Sequence, residues 1–326
     1  MSKTYQVLYN PLAGGGTGEQ SLQRLREAMD GCQLCFHDVT KLESYVDFFS
    51  RLSVEDSVIL AGGDGTLNRF INDTDGMDIK NEIFYYATGS GNDFLRDIER
   101  DGASKQCINR YLSDLPVVEV NERQYRFLNG VGYGIDGYCC AEGDELRRKA
   151  PGKKINYTHI AIKGLLLDYH PTNATVTVDG KAYSFQRVWL APTMNGRYYG
   201  GGMQPAPAQQ RLGQPHEVSV MVMYGGGKIK TLAAFPSIFS GELVQHKDMV
   251  CVMTGREITV EFDRPTPLQI DGETIEIVTR YTVHTAPDAQ CAARGAEKTR
   301  KRRLPARGWA AAFRVPGRCI CIDFFP

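Results

Sequence analysis

The first 90 residues alternate four short apolar runs with segments of helical spacing, and that alternation restricts the fold more than any other feature of the chain. Gln6 to Tyr9, Cys32 to Phe36, Ser57 to Ala61 and Glu82 to Tyr86 have the length and composition of strands. Between them, Glu19 to Met29 puts Leu22, Leu25 and Met29 on one helical face, and Leu42 to Leu52 and Thr66 to Asn72 are further helix candidates. Strands and helices in this order form a mostly parallel sheet covered on both faces, a three-layer α/β domain. Two glycine-rich loops, "AGGDGT" from Ala61 and "TGSGND" from Thr88, directly follow the third and fourth strands. They fall at strand C-termini, where open α/β sheets bind ligands.

A chain of 326 residues is long enough for a second domain. After about residue 125 the pattern changes to period-two alternation and turn dipeptides. "ATVTVDGKAYSF" reads as a hairpin turning at Asp179-Gly180, and "EVSVMVMYG", "KDMVCVMTG", "EITVEFD" and "ETIEIVTRYTVHT" are further strands. Ile229 to Phe239 and the region of Ile160 to Leu167 suit short helices. The expected organisation is an α/β domain over 1–125, a largely antiparallel β domain over 126–286 and an extension over 287–326.

Charge and cysteine usage narrow the class. The net charge of zero hides a basic end: residues 291–326 carry nine Lys/Arg and two Asp/Glu. "EKTRKRRLPARGWAAAF" has two readings, a membrane-surface anchor and an extension without fixed structure. No nucleic-acid module accompanies these charges, so no nucleic-acid partner is expected. No apolar run approaches the roughly 20 residues that span a bilayer, which gives a cytoplasmic address as the expectation. The nine cysteines are odd in number and lack metal-ligand spacing in the body of the chain, so they read as reduced thiols.

Four polar-glycine clusters carry the chemistry. "YNPLAGGGTG" at 9–18 can turn backbone N–H groups toward an anion, although it lacks the Gly-Lys-Ser/Thr ending of a P-loop. In "AGGDGTLNRF", Gly62 and Gly63 allow close approach to a ligand, and Gly65 and Thr66 open a helix whose free N–H groups favour phosphate. Asp64 would repel phosphate unless a cation intervened. It therefore has two readings, a group that acts through Mg²⁺, directly or through water, and a helix cap. Thr88, Ser90, Asn92 and Asp93 offer donors and acceptors after the fourth strand. Far away, Asp271-Gly272-Glu273 reads either as a carboxylate pair or as a plain hairpin turn. Together these clusters supply positioning, charge neutralisation and a proton acceptor, the parts of phosphoryl transfer. Hydride transfer would need no such arrangement.

"YNPLAGGG", "AGGDGTLNRF", "ATGSGNDFLRD" and "IDGE", in this order, closely resemble the diacylglycerol kinase catalytic-domain family, which includes soluble bacterial lipid kinases and sphingosine kinases. The resemblance runs from Tyr5 to about Thr285 and takes in "FLNGVGYGIDG" and "NGRYYGGGMQPAP". It implies an NAD kinase-like nucleotide-binding domain beside a β-sandwich, with ATP and Mg²⁺ between them. By this resemblance Asn10 and Gly14, Gly15 and Gly16 lie near the nucleotide, Gly62, Gly63, Gly65 and Thr66 cradle phosphates, and Gly89, Ser90 and Asn92 line the nucleotide pocket. Asp64 joins an aspartate–water–magnesium network, Asp271 is the general base on the lipid hydroxyl, and Glu273 helps to position magnesium. The partner is then a membrane lipid met at the inner membrane surface, and a homodimer is compatible with this reading.

One stretch departs from the pattern. Where soluble bacterial members carry an acidic Asp-Gly-x-Leu-Asp-like segment that supports an accessory magnesium, this chain reads "QQRLGQPHEVSV" and keeps only Glu217. Phosphorylation of diacylglycerol or a similar lipid is the leading expectation. A sphingoid base, another long-chain alcohol and NAD are alternative acceptors. A nucleotide- or lipid-binding regulator without turnover is the non-enzymatic alternative.

Overall fold

The computed structural model describes residues 4–11, 18–89, 91–100, 107–149, 160–161 and 163–285. Gly14, Gly15, Gly16, Ser90 and the extension over 287–326 lie outside the described residues.

The first domain has the expected order: β1 (Thr4–Tyr9), α1 (Gly18–Ala28), β2 (Gln33–Asp38), α2 (Tyr45–Ser50), β3 (Ser57–Gly62), α3 (Asp64–Asp73), β4 (Ile83–Ala87) and α4 (Asp93–Arg100). The strands pair in the order β2-β1-β3-β4, all parallel. Strand period sends alternate side chains to opposite faces. Val7, Ile59 and Ala61 meet Leu22 and Leu25 of α1. Leu8, Val58 and Leu60 meet Phe48 of α2, Leu67, Phe70 and Ile71 of α3, and Phe94 and Ile98 of α4. All six residues of β3 are buried, as a central strand requires.

The second domain is antiparallel. It comprises β5 (Val117–Val120), β6 (Arg123–Arg126), β7 (Gly130–Tyr133), α5 (Ile135–Lys149), β8 (Thr172–Val178), β9 (Lys181–Val188), β10 (Thr193–Met194), β11 (Val218–Met223), α6 (Lys228–Ala234), β12 (Val250–Gly255), β13 (Glu257–Ile270) and β14 (Glu273–His284). The main path is β12-β11-β10-β7-β13-β14-β5-β6, and β8 joins β13 and carries β9. β13 links the two parts of the sandwich: Ile258 to Phe262 pair with β8, whereas Leu268 to Ile270 pair with β7. Its register against β14 shifts between Glu261 and Thr266 and again before Leu268, the irregularity that lets one strand serve both. The β8–β9 turn falls at Asp179-Gly180 with φ of +47° and +80°, and the β13–β14 turn at Asp271-Gly272 with +46° and +92°. Both match the two positive dihedrals of a type I′ hairpin.

The expected boundary near residue 125 differs from the sheet pairing. β5 and β6 form a hairpin whose Val117 to Val120 lie antiparallel to Tyr281 to His284 of β14. The hairpin thus belongs to the second sheet, and the chain crosses over before residue 117. The six cysteines among the described residues are free, and no helix among them is long and apolar enough to cross a membrane.

Candidate active site

The two glycine loops touch at the C-terminal edge of the parallel sheet. A Cβ on Gly89 would stand 2.7 Å from the Gly63 Cα, and one on Gly62 would stand 2.4 Å from the Thr66 Cβ. Gly89 is therefore required by loop-against-loop packing, and Gly62 by the tight entry of its own loop into α3. Asn10, buried at the end of β1, donates from Nδ2 to Thr66 Oγ1 at 3.4 Å. Asn92 takes a left-handed backbone, φ +50°, and donates to the Gly89 carbonyl at 2.7 Å. Its buried Oδ1 meets no hydrogen-bond donor among the described residues. Asn10, Gly62, Gly63, Gly65, Thr66, Gly89 and Asn92 are thus brought together as a polar, glycine-lined edge.

Asp64 is a helix cap, but mainly of the neighbouring helix. Its Oδ2 accepts the Asp93 N–H and its Oδ1 the Phe94 N–H, both at 3.0 Å, so the carboxylate closes the N-terminus of α4. It also occupies the first turn of α3, whose own N-cap position is Gly63 without a side-chain cap. A buried negative charge at two helix N-termini is stabilised by both sets of free N–H groups. Asn129 adds a third donor, Nδ2 to Oδ1 at 3.3 Å.

Asp271 arrives from more than 200 residues away and is held even more closely. Its Oδ1 accepts the N–H groups of Asn129 at 2.8 Å and Gly130 at 3.0 Å. Its Oδ2 accepts the Leu128 N–H at 2.5 Å and Asn68 Nδ2 at 2.8 Å. Burial pushes the Asp271 carboxyl above the usual carboxylate range, and these four donors oppose the rise. Glu273, one residue past the turn, reaches the first turn of α3: its Oε1 is 3.9 Å from the position of a Cβ on Gly65 and 3.9 Å from Arg69 Nη2.

The spacing of α3 explains how the domains meet. Asp64, Asn68 and Asn72 recur every four residues and share one face. Asp64 takes Asn129, Asn68 gives to Asp271, and Asn72 exchanges hydrogen bonds with the Arg126 backbone at 2.8 and 2.9 Å. This polar stripe docks on the segment 126–130. Asn68, Asn72 and Asn129 are site residues that sequence reasoning missed, and the i, i+4, i+8 spacing of polar residues along one face of α3 is the signal that marks the first two.

Two further buried acids flank the site. Asp93 accepts the Gly201 N–H at 2.7 Å, and burial together with the Asp64 charge holds its carboxyl well above the usual range. Asp136, in the first turn of α5, is pushed up to about 6 by burial. It accepts Gln269 Nε2 at 2.9 Å, and Gln269 Oε1 in turn accepts the Gly272 N–H at 2.6 Å, which braces the Asp271-Gly272 turn.

The expected metal ligands have different surroundings. Asp64 and Glu273 both attend the first turn of α3, and the buried Oδ1 atoms of Asn92 and Asp93 have no hydrogen-bond donor among the described residues. Such a set suits a magnesium ion that arrives on phosphate oxygens and keeps part of its water, rather than an all-protein cage. Glu217 stands before β11, where its backbone carbonyl accepts Gln209 Nε2 at 2.7 Å. Among the described residues no group of three or more His, Cys, Asp or Glu is placed to hold a metal. The 209–217 stretch does not fit the accessory magnesium, because its buried charged side chain is the cation of Arg211.

Comparison with known proteins identifies the family of both domains. The family model described as the diacylglycerol kinase catalytic domain matches residues 4–120, and the one described as the YegS C-terminal NAD kinase beta sandwich-like domain matches residues 129–290. A protein named "Putative lipid kinase" from Staphylococcus aureus (strain Mu3 / ATCC 700698) is 28% identical over 246 residues, covering 72% of this chain and 75% of that protein. "Putative lipid kinase YtlR" from Bacillus subtilis (strain 168) is 24% identical over 232 residues, covering 66% and 73%. Two solved structures described as a "putative diacylglycerol kinase" from Bacillus anthracis str. Sterne superpose with TM-scores of 0.58 and 0.57 at 18% and 20% identity, over 87% of this chain and 94% of each of those, and share its fold. Matched through both of its domains, the chain belongs to the diacylglycerol kinase catalytic-domain family, with an NAD kinase-like β-sandwich as its second domain.

Proposed function

We infer that this protein transfers the γ-phosphoryl group of ATP to the hydroxyl of diacylglycerol or a similar lipid. The observation that carries the reading is the meeting of two distant carboxylate clusters: Asp64, at the glycine loops, and Asp271-Gly272-Glu273, joined to it through α3 and Asn129. The glycine edge receives the nucleotide, with Asn92 Oδ1 free to accept a donor from it. Asp64 and Glu273 are the residues that would hold magnesium, which would supply charge neutralisation for phosphoryl transfer. Asp271 takes the proton of the attacking hydroxyl. Three of its four donors are main-chain N–H groups, so the side chain of Asn68 is the one that can turn away and free a lone pair.

A diacyl lipid does not leave the bilayer cheaply, so turnover takes place at the inner membrane surface. Leu167 and Ile229 are exposed apolar side chains on packed turns, beside Lys163, Lys228 and Lys230, and form the membrane-facing surface in this reading.

The fully occupied carboxylate of Asp271 also favours a second reading, a regulator that binds nucleotide and does not turn over. The deciding experiment is transfer of labelled γ-phosphate from ATP with Mg²⁺ to mixed micelles of diacylglycerol, monoacylglycerol, sphingosine and long-chain alcohols, beside an aqueous NAD reaction and Asp271→Asn. A lipid product that disappears in the variant supports the kinase. ATP binding with no product on any acceptor supports the regulator.

A further inference from the structure

Arg211 is an unusual group to find inside this junction. Its side chain is 4% exposed, and it lies in the stretch where the family resemblance leads one to expect carboxylates. Every nitrogen of the guanidinium is used. Nε donates to Asp97 Oδ2 at 2.9 Å, Nη2 lies 2.8 Å from the same oxygen and donates to Asn129 Oδ1 at 2.9 Å, and Nη1 donates to the Leu128 carbonyl. The guanidinium also lies over the Phe94 ring, 5.0 Å from its centroid. A second arginine, Arg197, holds the other side of Asp97, from Nε to Oδ1 at 2.5 Å and from Nη2 to the Asp97 carbonyl at 2.7 Å. The space is built for this group: a Cβ on Gly196 would fall 2.0 Å from Arg211 Nη2.

The partners of Asn129 show what the guanidinium does. The backbone N–H of Asn129 binds Asp271, its side-chain Nδ2 binds Asp64, and its carbonyl accepts the N–H groups of Asn195 and Gly196 at 2.9 and 3.0 Å. One residue therefore touches both carboxylates of the candidate site. A carboxamide has one accepting and one donating end, and it can turn over unless its neighbours forbid it. Here a cation faces Oδ1 and a carboxylate faces Nδ2, so only one orientation satisfies both. Arg211 also grips the Leu128 carbonyl, and the Leu128 N–H is the 2.5 Å donor to Asp271.

We propose that Arg211 is a positioning residue: as a covalently fixed cation it orients Asn129, and through Asn129 and Leu128 it sets the spacing of Asp64 and Asp271 without help from an accessory metal ion. The catalytic part of this inference rests on the kinase reading above; the positioning part does not.

The test compares wild type with Arg211→Met, which keeps much of the volume, and Arg211→Lys, which keeps the charge but not the planar fork. The first readout is hydrogen exchange, which needs no substrate. Arg211→Met is expected to raise exchange of the amides at 93–94 and at 128–130 together, with Arg211→Lys intermediate, while millimolar EDTA leaves the wild-type pattern unchanged. The second readout is kinetic: in Arg211→Met kcat falls about 100-fold, the scale of a small misplacement of reacting groups, while ATP affinity stays within about threefold of wild type. Faster exchange confined to 93–94, an EDTA-induced rise at 128–130 in wild type, or unchanged kcat in Arg211→Met would each overturn the proposal. If Arg211→Met does not fold, Asn129→Ser decides, because serine is too short to join Arg211 to Asp64 and leaves the grip on Asp97 in place. It should reproduce the loss of kcat and the faster exchange at 93–94, and normal values of both would overturn the proposal. A wild-type protein that phosphorylates no acceptor refutes the kinase reading alone, and the exchange data still judge Arg211.

Discussion

Replacement of Asn68 separates the two forces on Asp271. Nδ2 of Asn68 donates to Asp271 Oδ2 at 2.8 Å across the junction between the domains. A hydrogen bond to a charged group contributes about 1.5–3 kcal/mol. Alanine at this helical position recovers roughly 0.6 kcal/mol of propensity, so Asn68→Ala should destabilise the protein by about 1–2.5 kcal/mol in urea unfolding. The effect on activity has a definite sign. Burial favours the neutral carboxyl and the donors favour the ionised one, so removal of a donor raises a carboxyl that is already raised. A general base works only when ionised, and the acid limb of kcat/KM therefore moves to higher pH. Asn68→Asp has nearly the same volume but sets a second carboxylate against the first, so its limb should move further than that of Asn68→Ala. The assay is the pH–rate profile of lipid phosphorylation for the three proteins at saturating ATP. An acid limb that stays in place, moves to lower pH, or moves further for alanine than for aspartate would exclude Asp271 as a buried base tuned by Asn68.

Four more outcomes are expected. Asp136→Asn should change the pH dependence of stability: because burial raises the folded-state carboxyl from 3.8 to about 6, the contribution of Asp136 is most favourable below pH ~4 and falls by up to about 3 kcal/mol as pH rises through 6. The variant lacks this loss, so it should match wild type near pH 4 and exceed it in denaturant melts at pH 7.5; equal stability at both pH values would count against the buried-acid account. Gly89→Ala meets the Gly63 backbone and should cost about 1–3 kcal/mol and abolish the thermal shift produced by ATP. Asp64→Asn gives up the negative charge at the α4 N-terminus and should lose about 2–3 kcal/mol in urea unfolding even without ligand, whereas a loss under ~0.5 kcal/mol would show that the cap contributes little. Ile229→Asp should lower sedimentation with anionic vesicles about tenfold while leaving ATP binding unchanged, and unchanged sedimentation would remove this face from membrane contact.

The elements of the first domain were legible because the signals that make them are local. Leu22 and Leu25 share a helical face whatever lies beyond them, and Val58 to Ala61 is apolar throughout because a central strand is covered on both sides. The Asp179-Gly180 and Asp271-Gly272 turns were likewise readable, since two positive dihedrals in succession call for such residues. The pairing of the β5–β6 hairpin with β14 could not be read from sequence, because β14 lies about 160 residues away and no local pattern records that pairing. β10, two residues long, has too few positions for alternation to show.

The candidate site divides along the same line. The residue types at the strand ends are legible in the chain alone: the glycines that allow two loops to touch, the aspartate among them, and the Asp-Gly-Glu turn. What the aspartates face depends on the folded arrangement of distant segments. Asp64 caps a helix that begins 29 residues later, Asp271 is held by amides more than 140 residues earlier, and Arg211 fills a place that Gly196 leaves open. Periodicity reports which side of an element a residue occupies, because that follows from the geometry of the backbone nearby. Partners across a junction follow from how two finished domains pack, and that information is spread over the whole chain.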